Sequence, residues 1–205
     1  MFLSAKDFLF LIEIEKNRKI IFNNFLDYKN KVESSNLQIK THLKNCYESS
    51  LIKSFSIPIF TLSSMYEGQV TNGLFNPTYV MPEDNFLKNK KTLNEQYDIY
   101  YKEDNKNFSE ILDPALRLIK KIPNLLQSMF VVLKDGCIFS PHVHDEALIY
   151  WYKLDDNKGD LFVTVNNIEK AFNNINRSLL FNGNSLHSGT TKMHTPSVYL
   201  VAAFN

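Results

Sequence analysis

Apolar positions along the chain change period about three fifths of the way through. In the first part they recur three and four apart, at Phe8, Leu11 and Ile12 and again at Ile20, Ile21 and Phe25, which gathers them on one face of a helix. Ser4-Ala5-Lys6-Asp7 stands before the first set at capping-box spacing, so one or two amphipathic helices are expected up to about Lys31. From there to Phe55 the pattern is mixed and selects neither helix nor irregular structure. Residues 56–86 interleave Pro58, Pro77, Pro82, Gly68 and Gly73 with aromatic and β-branched residues, which favours short strands and loops. Lys88–Asn107 is polar and reads as an exposed connection. A further short helix is predicted from Asp113-Pro114, with Asp as cap and Pro in the first turn, through Leu116 and Ile119 to Lys120-Lys121 and a stop at Pro123.

Beyond this point the pattern is that of strands. Met129–Leu133 is an unbroken apolar run, Lys134-Asp135-Gly136 has Asp-Gly turn chemistry, and a second run ends in Pro141-His142-Val143-His144. A β-hairpin with imidazoles at its exit is the expectation. Ala147–Tyr152, a turn at Asp155–Gly159, the alternating Leu161–Val165, and residues 178–181 and 197–204 bring the total to roughly six to eight short strands. Such spacing argues for a β-sandwich or barrel rather than an α/β sheet. The expected class is therefore α+β, one domain, with a mixed, largely helical part over 1–125 and a β core over 126–205.

Composition narrows the class. With 205 residues, 44% of them apolar, the chain has the material for a real core, which argues against disorder throughout. Lys plus Arg (23) nearly balance Asp plus Glu (22), leaving a net charge of +1, so no overall field recommends nucleic acid or an acidic membrane as partner. Cys46 and Cys137 are too few for a disulfide framework and fit a reducing compartment. The Phe8–Ile12 run is flanked by Lys6-Asp7 and Glu13, too short and too charged for a signal peptide or membrane span. A cytoplasmic protein is expected.

Candidate chemistry lies with the histidines, four of the five falling in the last third. Side chains two apart in a strand share a face, so His142 and His144 can converge on one metal ion while Val143 turns away. His187 follows another apolar run and an Asn-Gly turn. Imidazole suits Fe, Zn, Cu and Ni. Three ligand sets stay open: three histidines, two histidines with Asp145 or Glu146, or two histidines with water in place of a third protein ligand. The first requires the strand to persist through Val143; a strand ending at His142 would swing His144 away and bring the carboxylates nearer. Surface or hydrogen-bonded imidazoles are the plainer alternative. Lys192, followed by His194 and Ser197, supplies a cation that can anchor a carboxylate beside a metal. Tyr150, Trp151 and Tyr152 can line a substrate pocket, although aromatic residues in strands are core in most cases.

Two stretches resemble a known family. LRLIKKIPNLLQSMFVVLKDGCIFSPH, ending at His142, and LLFNGNSLHSGTT, containing His187, are similar to the catalytic domain of the aspartyl/asparaginyl β-hydroxylases, in the helix ending near a Pro, the strand and turn, the Ile-x-Pro-His site and the distal His. The resemblance implies a double-stranded β-helix, Fe(II) on His142 and His187 without a metal carboxylate, and a dioxygenase using 2-oxoglutarate and O2 to hydroxylate an amino acid, peptide side chain or small metabolite. The chain departs from the family where arginine and histidine would hold 2-oxoglutarate: it has Leu148–Tyr152 after the first metal histidine, and Ser197, with Lys192 the nearest cation, after the second. The spacing from Gly136 to His142-Val143-His144 also resembles that of cupins, without their later Glu and Gly. The primary expectation is thus an Fe(II)/2-oxoglutarate dioxygenase. The alternatives are a cupin-type three-histidine metalloenzyme that does not use 2-oxoglutarate, and a non-catalytic β-sandwich binding module.

Overall fold

The structure, a computed structural model, describes residues 1–34, 54–61, 105–144 and 148–205. The mixed stretch before Ser54, most of 56–86, the Lys88–Asn107 connection up to Asp104, and both Asp145 and Glu146 lie outside these residues.

Among the described residues there are three α-helices, α1 (Leu9–Lys16), α2 (Arg18–Glu33) and α3 (Asn105–Ile119), and ten strands. The strands are β1 (Phe2–Leu3), β2 (Ser54–Thr61), β3 (Leu125–Leu133), β4 (Ile138–His142), β5 (Leu148–Lys153), β6 (Gly159–Val165), β7 (Ile168–Phe172), β8 (Ser178–Asn182), β9 (His187–Met193) and β10 (Ser197–Phe204). They form a six-stranded sheet in the order β1-β8-β5-β10-β3-β2 and a four-stranded sheet in the order β4-β9-β6-β7, every pair antiparallel. From β3 onward consecutive strands alternate between the sheets, and β6–β7 alone stays within one. That winding is a double-stranded β-helix, a cupin-type jelly roll, extended at the edges of one sheet by β1 and β2. Among the described residues no helix is long and apolar enough to cross a membrane.

The hydrophobic patterns follow from which faces are covered. The helices pack on the outer face of the six-stranded sheet, so β10 is buried along its whole length and β3 nearly so. Leu200, Ala202 and Phe204 face the helices, while Tyr199, Val201 and Ala203 face the other sheet. Two covered faces require an unbroken apolar run. The four-stranded sheet has one covered face, and β6 alternates accordingly, with Leu161, Val163 and Val165 inside. Pro58 sits on the edge strand β2, where a missing N–H costs no inner ladder bond.

Three expectations change. Asp135-Gly136 does not close a hairpin, because β3 pairs with β10 and β2, whereas β4 crosses to the other sheet and pairs with β9. Gly136 has φ 69°, and this corner is held by β9: Thr191 Oγ1 accepts from Cys137 N (2.8 Å) and donates to the Lys134 carbonyl. The tight hairpin is β6–β7, where Asn166 and Asn167 both have positive φ, 49° and 65°, as a primed two-residue turn needs.

The helix expected from Asp113 begins at Asn105 and carries Pro114 inside it. Proline removes a helical donor and crowds the preceding turn; here the buried Asn24 side chain of α2 enters the gap. Its Nδ2 donates to the Ile111 carbonyl and its Oδ1 accepts from Ala115 N (3.2 Å), taking up two backbone groups that would otherwise bond each other. Near the N-terminus, Ser4 makes no side-chain cap; a short 3-10 turn follows it, and α1 starts after Phe8, whose ring packs edge-on against Phe10 and Phe204. Burying one such ring contributes about 1.5–3 kcal/mol.

Candidate metal centre

The winding of the β-helix sends one end of each sheet to the same mouth. The loops after β4 and β8 meet there, and with them His142, His144 and His187. His142 ends β4 and His187 begins β9, where the two are cross-strand partners. Their ring centroids lie 4.3 Å apart, and the His144 ring lies 4.9 Å from His142 and 5.1 Å from His187. One ligand atom from each ring falls within 4.8 Å of the others. Donors on one ion at roughly 2.1 Å stand about 3.0–3.4 Å apart at octahedral or tetrahedral angles, so a movement of up to about 1 Å per ring closes the set.

The route of His144 to this cluster was not the one anticipated. The strand does end at His142, yet His144 does not swing away. Its backbone N–H donates to the Gly183 carbonyl at 2.7 Å, which ties the loop after β4 to the Asn182–Ser185 turn. That turn is itself braced by Ser185 N on the Asn182 carbonyl and Asn184 N on Asn182 Oδ1, both 3.1 Å. Asp145 and Glu146 lie outside the described residues.

Backbone carbonyls also set the rings. His142 Nδ1 lies 2.7 Å from the Ser140 carbonyl, and His187 Nδ1 lies 2.8 Å from the Ser185 carbonyl. A carbonyl can only accept, so each Nδ1 carries the proton and each Nε2 keeps its lone pair for a metal. His187 is buried and its ring packs 4.8 Å from that of Phe181. Burial holds its pKa below the ordinary 6.5; the Ser185 carbonyl opposes this, and the neighbouring His142 adds to it. A neutral imidazole is the state a metal ligand requires.

Behind the histidines the two sheets enclose a cavity of about 170 Å³. Its walls are largely apolar, among them Met129, Phe139, Trp151, Leu161, Phe181 and Val201, with Gln127, Ser54 and Ser188 as polar members beside the imidazoles. Of the aromatic candidates, Trp151 lines it. Tyr150 does not: strand alternation turns Tyr150 and Tyr152 to the helices, where their hydroxyls donate to Glu15 Oε1 and the Glu15 carbonyl, each at 3.2 Å.

The expected carboxylate anchors are not brought to the histidines. Lys192 sits on β9 five residues beyond His187, so the pleat turns it to the opposite, exposed face. Ser197 begins β10 at the far end of the sandwich, buried, and accepts a hydrogen bond from Lys153 Nζ at 2.7 Å. Lys153 and Gln127 were missed in the sequence. Alternation in phase with Met129 and Val131 would have put Gln127 on the inner face, and Lys153 lies one residue past the aromatic run.

No family profile matches the sequence, and no curated protein does. Solved structures overlap with part of it. One, of the DMSP lyases RdDddP and RnDddQII, covers 38% of each chain at 15% identity and a TM-score of 0.32; this chain thus matches well under half the length of that protein. A cupin domain of an XRE family transcriptional regulator from Enterobacter cloacae covers 42% of this chain and 85% of its own, at 11% identity and a TM-score of 0.34. KdgF from a Halomonas species covers 40% and 72%, at 14% identity and a TM-score of 0.33. The strand order, rather than these partial overlaps, defines the fold: a double-stranded β-helix of cupin type that carries at its mouth a three-histidine group able to hold a metal ion.

Proposed function

We propose that the chain is a cupin-type metalloenzyme in which His142, His144 and His187 hold a divalent transition-metal ion, Fe(II) first among those that imidazole suits, and that it acts on a small substrate without 2-oxoglutarate. The convergence of His144 with the other two rings carries this reading. When bound, such an ion supplies Lewis acidity and, in the case of iron, reactivity with O2. The chain's own residues do the rest. The Ser140 and Ser185 carbonyls aim the imidazoles, the buried setting of His187 keeps that ring neutral, and the apolar walls exclude water. Among the described residues lining the cavity none is Lys or Arg. A dianion such as 2-oxoglutarate would find no cationic partner for its second carboxylate among these described residues, and a buried carboxylate without one carries a large cost.

A second reading, the Fe(II)/2-oxoglutarate hydroxylase, is favoured by the Pro141-His142 and distal His187 pattern shared with the aspartyl/asparaginyl β-hydroxylases. Anaerobic Fe(II) titration of the metal-free protein separates the two, with Mn(II), Ni(II) and Zn(II) in parallel. Uptake of one equivalent, with no metal-to-ligand charge-transfer band on adding 2-oxoglutarate and no succinate formed in air, supports the first. A band and succinate favour the second. No stoichiometric uptake of any of the metals overturns both and leaves a binding module.

A further inference from the structure

Gln127 stands on the inner face of β3 in the same row as Ala203, Ile149 and Phe181, each the register partner of the next across the sheet. The Phe181 ring touches His187, and Gln127 lies three strand spacings away, about 14 Å between backbones. The cavity is lined by both ends of this row. Gln127 is 8% exposed, and its Oε1 is buried with no hydrogen-bond partner. Its neighbour Ser128, fully buried, donates to the Val201 carbonyl at 2.9 Å. Buried acceptors are nearly always paired, because an unpaired one has lost its water and gained nothing in return. Here the unpaired acceptor lies in the wall of a cavity.

We propose that Gln127 is the recognition residue at the far end of this cavity, accepting a hydrogen bond from an N–H or O–H group of a small monoanionic ligand whose carboxylate lies at the metal end. The inference rests on the metal reading above and deepens it by naming the ligand class. Three neutral imidazoles leave a bound divalent ion its full charge, which favours an anionic oxygen at that end. No described lining residue supplies a second positive charge, so the ligand carries one negative charge. The apolar stretch of wall between His187 and Gln127 fits a hydrocarbon midsection. A terminal hydroxyl or carboxamide then satisfies Oε1. The class is that of short ω-hydroxy or ω-carbamoyl monocarboxylates.

Co(II)-loaded protein gives the test, since its visible bands report ligand entry at the metal. The probes are 4-hydroxybutyrate against pentanoate, which exchanges the hydroxyl for a methyl, and glutaramate against glutarate. In the wild type the hydroxy acid is expected to bind about tenfold more tightly than pentanoate, as one hydrogen bond allows, and glutaramate more tightly than glutarate. Q127L should keep one equivalent of Co(II) and lose the hydroxyl preference. Metal-free Q127L should unfold at the same or a higher temperature, since it removes an unpaired acceptor at similar volume. Absence of the preference in the wild type, its persistence in Q127L, glutarate outbinding glutaramate, or a marked drop in unfolding temperature overturns the role of Gln127. Failure of the wild type to take up Co(II) is seen before any carboxylate is added and sinks the metal reading itself.

Discussion

The two ends of the β-sandwich each gather a cluster of polar side chains, and they differ in whether that cluster faces the cavity. At the closed end, Lys153 is fully buried, and its Nζ donates to Asp155 Oδ1 (2.9 Å) and Ser197 Oγ (2.7 Å) and lies 5.3 Å from the Tyr199 ring centroid. Asp155 also accepts from the backbone of Asn157 and Val198. Burial lowers the pKa of Lys153, while Asp155 opposes that shift. Neither Lys153 nor Asp155 lines the cavity. At the open end the His142 and His187 imidazoles spend their Nδ1 protons on carbonyls, the His144 ring stands beside both, and Gln127 Oε1 has no partner. Each end thus keeps one buried polar atom without a hydrogen-bond partner, the Tyr199 hydroxyl at the closed end and Gln127 Oε1 at the open end. The difference is that the Lys153–Asp155–Ser197 contacts close on themselves away from the cavity, whereas Gln127 and the three histidines line it.

Exchanging residues at the two ends should therefore give opposite results. The largest effect is expected for His142→Ala, His144→Ala and His187→Ala. Each should lower Fe(II) affinity by more than the roughly 10–100-fold that loss of an outer-shell partner costs, with little change in urea stability; wild-type affinity in all three variants would erase the distinction between the ends. Next, Lys153→Met should cost about 3–5 kcal/mol, because it strands a buried carboxylate, while metal stoichiometry stays at that of the wild type. The double variant Lys153→Met/Asp155→Asn should recover part of the loss in the same urea titration. A drop in metal uptake for Lys153→Met, measured while the protein is still folded, would make the closed end part of the site.

A smaller loss is expected for Asn24→Ala, which touches neither end. It leaves Ala115 N–H and the Ile111 carbonyl unmatched beside Pro114 and should cost about 1–3 kcal/mol; adding Pro114→Ala, which lets the helix close on itself, should restore part of it. The smallest effect concerns pH. Burial raises the Tyr152 pKa from 10.0 to about 12, with Glu15 adding to the shift, and raises that of Tyr150 well above 10.0 for the same reasons. The folded chain keeps these protons where the unfolded chain loses them. That stability is fully present below about pH 10 and is lost as pH rises through 12. Tyrosinate absorbance should then rise together with unfolding; ionisation of these residues in a still folded protein would contradict their burial.

Much of the β core is written in local pattern. Alternation at Leu161–Val165 marks a sheet with one open face, the unbroken runs at Met129–Leu133 and 197–204 mark one covered on both, and His142, His144 and His187 stand out by their places at strand ends. Turn chemistry at Asp135-Gly136 correctly signals a change of direction. It cannot say which strand receives the chain, since pairing is decided by segments far along the sequence: β3 joins β10, and β4 joins β9. The period of Tyr150-Trp151-Tyr152 was legible, but which face looks into the cavity was settled by the helices that cover the other one. Pro114 looked like a helix start because nothing adjacent shows that Asn24, ninety positions earlier, takes up the bonds around it. His144 reaches the three-histidine group through a hydrogen bond to Gly183 rather than by strand geometry. A sequence carries the periods and the chemical groups, which depend on neighbours; phase, partner and satisfaction depend on contacts across the folded chain, and only tertiary structure supplies them.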